Sequence, residues 1–164
     1  MTILTTSAIN SICTDISKEI FDKYPYYRPH IYFLYNYGCR IGEVFNYRIS
    51  LDSSGNNISI DAQKNNNQRI LPPKDSETFY QLEKLQLSQN QSWLNKKNLE
   101  RVIKKVHPVS DLKIGKKNVG AHLFRHNYVK KLVAVGLQFS TIDQVMGYTT
   151  QSVSDTYAVS KIFY

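Results

Sequence analysis

Cysteine is scarce in this 164-residue sequence. Cys13 and Cys39 are too few and too far apart to suggest a disulfide framework or a metal-binding motif. They fit a reduced compartment. No run of 18 apolar residues occurs and no signal-peptide pattern opens the chain, so the sequence reads as an intracellular protein, cytoplasmic or nucleoid-associated, with no membrane partner. Internal repeats are absent, and no linker divides the chain, so one domain over residues 1–164 is expected. Acidic residues are nearly missing from one third of it. Between Lys84 and Lys131 twelve Lys or Arg meet only Glu100 and Asp111, so this segment carries +10 in a chain whose total is +8. A positive field that concentrated points to a polyanionic partner, nucleic acid first.

What is present describes a folded, mostly helical chain. Apolar residues make up 41% and aromatics 12%, enough for a core. Ile9, Ile12, Ile16 and Ile20 recur at helical spacing over residues 7–21. HIYFLYNYGCRIGEVF reads as a buried helix interrupted at Gly38, where glycine permits a tight turn or close backbone contact. The period then changes. NNISIDA and RILPP flank the polar loop KNNNQ, which predicts a small antiparallel hairpin with Lys64 at its rim. Helices are predicted over 76–89, 93–106 and 123–135, with Pro108 ending the second and Gly136 the third. Ser140 with Asp143 forms a capping-box signature for a short helix ending at Gly147, and Ser152 with Asp155 repeats it before Tyr157. The fold class is therefore mostly α with a small antiparallel hairpin or sheet, an α+β chain.

The stretch HLFRHNYVKKL places His122 and Arg125 on one helical face. HxxR alone is weak, but further features stand in order around it. YGCRIGEVF, the hairpin with Lys64, HLFRH, and MGYTTQSVSDTY together resemble the catalytic domain of the tyrosine recombinase, or phage integrase, family over about residues 5–160. The resemblance implies the fold of DNA breaking–rejoining enzymes. It makes Arg40 and Arg125 the paired arginines, Lys64 the hairpin lysine and His122 the histidine of the second box. Tyr148 falls at the family's final His or Trp position, and Tyr157, nine residues on, at the nucleophile. Glu43 and His126 fall at supporting positions. Tyr164 lies too near the end to compete.

The chemistry explains these residue types. Phosphodiester cleavage places negative charge on non-bridging oxygens, which planar guanidinium groups grip in fixed geometry without metal or cofactor. A tyrosine hydroxyl, ordinarily ionising near about 10, needs a positive field or a base such as His122 to attack phosphorus. A flexible lysine suits protonation of the departing 5′ oxygen. Arg69, Lys113, Lys116, Lys117, Lys130 and Lys131 are the expected DNA-contacting cations. The resemblance thus implies a metal-independent recombinase or integrase of a mobile element, acting on double-stranded DNA and assembling tetramers on paired sites.

The sequence departs from the family at three points. Tyr148 replaces His or Trp, though its hydroxyl can still donate one hydrogen bond. Nothing before residue 5 supplies the family's N-terminal DNA-binding domain, so that domain is expected to be absent. KIFY reads as the start of a tail that would reach a neighbouring protomer. A non-catalytic, truncated or degenerate integrase that occupies DNA sites or modulates an intact partner is the alternative, and a type IB topoisomerase shares the chemistry.

Overall fold

The computed structural model describes residues 2–61, 67–107, 111–148, 157 and 160–164. Its first helix, α1 (Thr6–Lys23), begins where the Thr5 hydroxyl accepts the Ala8 N–H at 3.0 Å. Its buried stripe is Ile9, Cys13, Ile16 and Ile20. Cys13 thus takes the inward place expected of Ile12, which is only half-buried. A 3-10 turn at Pro25–Tyr27 leads into α2 (Arg28–Tyr37), whose Ile31, Phe33 and Leu34 are fully enclosed. Burial of such side chains contributes about 1.5–3 kcal/mol each. As the sequence predicts, α2 stops at Gly38, which adopts the left-handed conformation with φ 61°.

A 3-10 turn, Ile41–Val44, stands where IGEVF was expected to resume a helix. Strands β1 (Ile49–Leu51), β2 (Ile58–Ile60) and β3 (Arg69–Leu71) follow in antiparallel order β1-β2-β3. Ile49 pairs with Ile60, and Ile58 with Leu71. The expected hairpin is therefore two strands of a three-stranded sheet. Its tip, including Lys64, lies outside the described residues.

Next come α3 (Ser76–Ser88) and α4 (Lys96–Val106). Helix α4 starts three residues later than predicted, because Asn95 caps it by accepting the Asn98 N–H at 2.9 Å. Pro108 lies outside the described residues. The short strands β4 (Lys113–Ile114) and β5 (Lys117–Asn118) turn at Gly115, then a 3-10 turn at Gly120–His122 enters α5 (Leu123–Ala134). Helix α6 (Phe139–Met146) ends at a left-handed Gly147. Its N-cap is Gln138 rather than Ser140, with no side-chain capping bond; Ser152 and Asp155 lie outside the described residues.

Strand β6 (Ile162–Phe163) closes a second sheet in the order β5-β4-β6, a sheet that no alternation in the sequence announced. Its partners are within the chain. Lys113 pairs with Phe163, Leu4 donates to the Ile162 carbonyl at 2.8 Å, and Tyr164 donates to the Thr2 carbonyl at 2.9 Å. KIFY, expected to reach outward, here ties the two ends of the described chain together. Helices α1, α2 and α5 meet around the main core, and no helix among the described residues is long and apolar enough to cross a membrane.

Candidate functional site

Gly38 is the hinge on which the site is built. A β-carbon there would stand 2.5–2.8 Å from the Tyr128 side chain on α5, so only glycine allows α2 to end this close to that helix. Its carbonyl accepts a hydrogen bond from Arg125 Nη1 at 2.8 Å. Arg40 follows two residues later in extended backbone. The Arg40 N–H donates to Glu43 Oε1 at 2.7 Å, while the Glu43 N–H donates to the Arg40 carbonyl at 2.8 Å. This exchange fixes the loop that carries Arg40.

Glu43 is almost fully buried and faces two guanidiniums. Its Oε1 lies 3.7 Å from Arg125 Nη1 and 3.8 Å from Arg69 Nη2. One carboxylate thus holds the loop after α2, helix α5 and strand β3 in register. A charge this deep persists because it is paired and hydrogen-bonded.

Arg69 corrects an expectation. Placed among the DNA-contacting cations on sequence, it is only 3% exposed and donates to the Tyr37 carbonyl at 2.9 Å, with the Cys39 Sγ at 3.6 Å. The inward face of β3 accounts for this, since Ile70, its neighbour, points out. Lys130 is half-buried and donates to the Ser160 carbonyl at 2.7 Å. Lys131 lies over the Tyr35 ring at 4.5 Å, and Lys113 is held by Asn118 across the β4–β5 hairpin. Lys116 and Lys117 are exposed at that hairpin.

The first turn of α5 brings the second box to the same place. Leu123 to Asn127 are all buried, so α5 enters through protein rather than along its surface. Arg125 is 1% exposed. Its guanidinium lies under two rings, 5.0 Å from the Tyr148 centroid and 5.8 Å from the Tyr157 centroid, and these rings stack on each other 5.8 Å apart at 10°. Arg125 Nε has no hydrogen-bond partner among the described residues. Tyr148 Oη approaches the guanidinium without closing a hydrogen bond, and burial pushes its hydroxyl up to about 12.

His122 Nε2 is hydrogen-bonded to Tyr157 Oη. Burial, followed by the charges of Arg125 and Arg40, depresses the His122 imidazole from 6.5 to about 4. The ring is therefore neutral near pH 7 and free to accept at Nε2 when its proton sits on Nδ1. Both arginines reach it electrostatically, which puts Arg40 within range of the same centre. His126 packs its ring 4.5 Å from that of Tyr157 and is pushed down to about 3, chiefly by burial. Arg40, Glu43, His122, Arg125, His126, Tyr148 and Tyr157 thus converge. Lys64 falls outside the described residues.

Two neighbours had no signal in the sequence. Ser160 Oγ lies 3.1 Å from His126 Nδ1 and donates to the Tyr157 carbonyl at 2.9 Å, so it fastens the backbone of Tyr157 to α5. Lys104 lines a cavity of ≈ 350 Å³ that is also bordered by His122, Gly120 and Ile41. The lysine density of α4 hinted at a contact surface, but helical periodicity alone could not say which lysine faces this cavity. No group of three or more His, Cys, Asp or Glu side chains converges as a metal site among the described residues.

No protein-family model and no curated protein matches the sequence. Solved structures do match, at the level of the fold. The chain is similar to the XerA recombinase with a TM-score of 0.66 and 20% identity, covering 96% of this chain and 58% of that one. It is similar to the Tn1549 transposon integrase in complex with transposon right-end DNA, with a TM-score of 0.58 and 15% identity over 95% of this chain and 61% of that one. The XerH site-specific recombinase, bound to its difH substrate in a pre-cleavage complex, gives 0.56 and 17%, over 96% and 50%. The chain therefore spans about three fifths or less of the length of these neighbours. Its mostly helical architecture with small antiparallel sheets is the fold of tyrosine recombinase catalytic domains.

Proposed function

We propose that this chain carries the catalytic centre of a tyrosine-type DNA strand-transfer enzyme. The observation that carries the reading is the Tyr157 hydroxyl bonded to a neutral His122 directly above the buried Arg125. In the reaction, His122 Nε2 takes the phenolic proton while Tyr157 Oη forms a bond to phosphorus. The bond from phosphorus to the 5′ oxygen breaks, leaving a 3′-phosphotyrosyl link. The departing oxygen takes a proton from Lys64, the acid that the resemblance assigns. Religation runs the same steps backwards, with the 5′ hydroxyl as nucleophile.

Arg125 and Arg40 stabilise the charge on the non-bridging oxygens. Glu43 orients Arg125 and pins the Arg40 loop, and Ser160 with His126 positions the Tyr157 backbone. Because Arg125 is sealed beneath Tyr148 and Tyr157, a phosphate reaches it only when that aromatic layer shifts. Double-stranded DNA is the substrate, with Lys104, Lys116 and Lys117 as exposed cations near or beside the site. Assembly on paired DNA sites belongs to the same proposal.

The sealed Arg125 also favours a second reading, in which the protein occupies DNA without cutting it. The two readings separate in one assay. Nicked duplexes that trap the covalent product, run on a denaturing gel, show a protein–DNA adduct under the first reading and none under the second. Salt-sensitive binding without adduct would leave only the second.

A further inference from the structure

Away from the candidate site, a string of aromatic rings runs from the surface into the core. Trp93 and Tyr26, 49% and 41% exposed, meet edge to face at 4.9 Å. Tyr26 abuts Tyr27 at 5.1 Å, and Tyr27, 1% exposed, abuts His30 at 5.2 Å. The outer two rings are thus braced from behind. They line a cavity of ≈ 410 Å³, within the range of about 300–1,000 Å³ usual for ligand pockets. Tyr27 also borders it, and its hydroxyl approaches the Asn95 backbone without closing a hydrogen bond.

The opposite wall is one face of α4. Asn98, Arg101 and Lys105 recur at helical spacing there, both cations are exposed, and no carboxylate lines the cavity. The neighbouring arc of α4 carries Lys104 and leads to the cavity beside His122. Half-exposed rings on one wall and exposed cations on the other match a planar base joined to a phosphate. A duplex offers phosphates but keeps its base faces stacked, so it would leave the rings unused.

We infer that Trp93, Tyr26, Arg101 and Lys105 form a binding site for an unpaired nucleotide of a single-stranded segment, separate from the strand-transfer centre. The inference goes beyond the catalytic reading and does not need it.

Trp93 is the only tryptophan in the chain, so its fluorescence reports this site alone. The protein is titrated with oligothymidylate, oligouridylate, a hairpin duplex of equal length and a polyglutamate peptide. Saturable quenching by the single strands is expected, with log affinity falling against log salt at a slope of about −1.4 for two neutralised phosphates. Comparison of the two single strands tells whether DNA or RNA is preferred. Arg101→Ala with Lys105→Ala should weaken quenching on the order of 10-fold. Tyr26→Ala should weaken binding of labelled oligothymidylate by a similar factor, read by anisotropy. Tyr157→Phe should leave both readouts unchanged, and Trp93→Phe should still form whatever covalent adduct the parent forms. Single-strand binding without any change at Trp93 would overturn the inference. So would equal quenching by the duplex or the peptide, or full affinity in the Arg101/Lys105 double variant with unchanged circular dichroism.

Discussion

The described residues form two cores of very different weight. The larger unites α1, α2, the first sheet, α3, α4 and the start of α5 around rings and branched side chains such as Phe33, Leu34, Ile58 and Phe124. The smaller consists of five buried side chains, Val129, Ile142, Met146, Tyr148 and Tyr157. Arg40 and Glu43 are fixed by the larger core and Tyr157 sits in the smaller, with α5 spanning the two. A cluster with few buried neighbours opens at lower free-energy cost than a full core. Under the proposed reading, Arg40 and Glu43 are thus anchored in the larger core and Tyr157 in the smaller one. Stability and reactivity should accordingly respond to different mutations.

Glu43→Ala should break the larger core most severely. It strands Arg69 and Arg125, each buried and within ion-pair distance of that carboxylate. Loss of the partner of a buried charge costs about 3–5 kcal/mol, and urea unfolding would read it as a lowered midpoint; an unchanged midpoint would refute the Glu43 node. Gly38→Ala comes next. The clash with Tyr128 and the left-handed φ together should cost about 1–3 kcal/mol and displace the carbonyl that holds Arg125. Adduct yield should fall with stability in that variant.

Acid should loosen both cores, since buried His30 of the larger is held down to about 3 and His122 beside the smaller to about 4. His122 is depressed from 6.5 to about 4, so the folded state binds fewer protons than the unfolded state between those values. Its contribution is fully present above pH 6.5 and erodes as pH falls towards about 4, by about 3 kcal/mol. His126 acts in the same direction down to about 3. Thermal melts across that range should show His122→Gln flattening the dependence by about one proton. A parallel, merely offset curve would contradict the burial of a neutral imidazole. The smallest effect is expected for Ser160→Ala. It should slow adduct formation several-fold at unchanged DNA affinity, with Ser160→Thr restoring most of the rate; a loss confined to affinity would remove its positioning role.

Much of this arrangement was legible in the sequence because it rests on local rules. Helical spacing identified α1, α3 and α5, and a glycine after an apolar run marked the end of α2. The order of Arg40, His122, Arg125 and Tyr157 singled out side chains that the fold brings near one another. What escaped depends on tertiary partners. Arg69 looked like a surface cation, and only the inward face of β3 and the carboxylate of Glu43 made it internal. Strands as short as β4, β5 and β6 carry no alternation to read, and the pairing of β6 with the N-terminal segment is set wholly by position.

The central claim is that Tyr157, activated by His122 over Arg125, attacks phosphorus. Its most direct test is a denaturing gel of the protein with nicked duplex DNA, run beside Tyr157→Phe, with binding measured in parallel. The account predicts a covalent protein–DNA band that vanishes in the variant while DNA affinity stays within about ten-fold, since one lost hydroxyl contact is worth about 0.5–1.5 kcal/mol at most. A band that persists in Tyr157→Phe would contradict it.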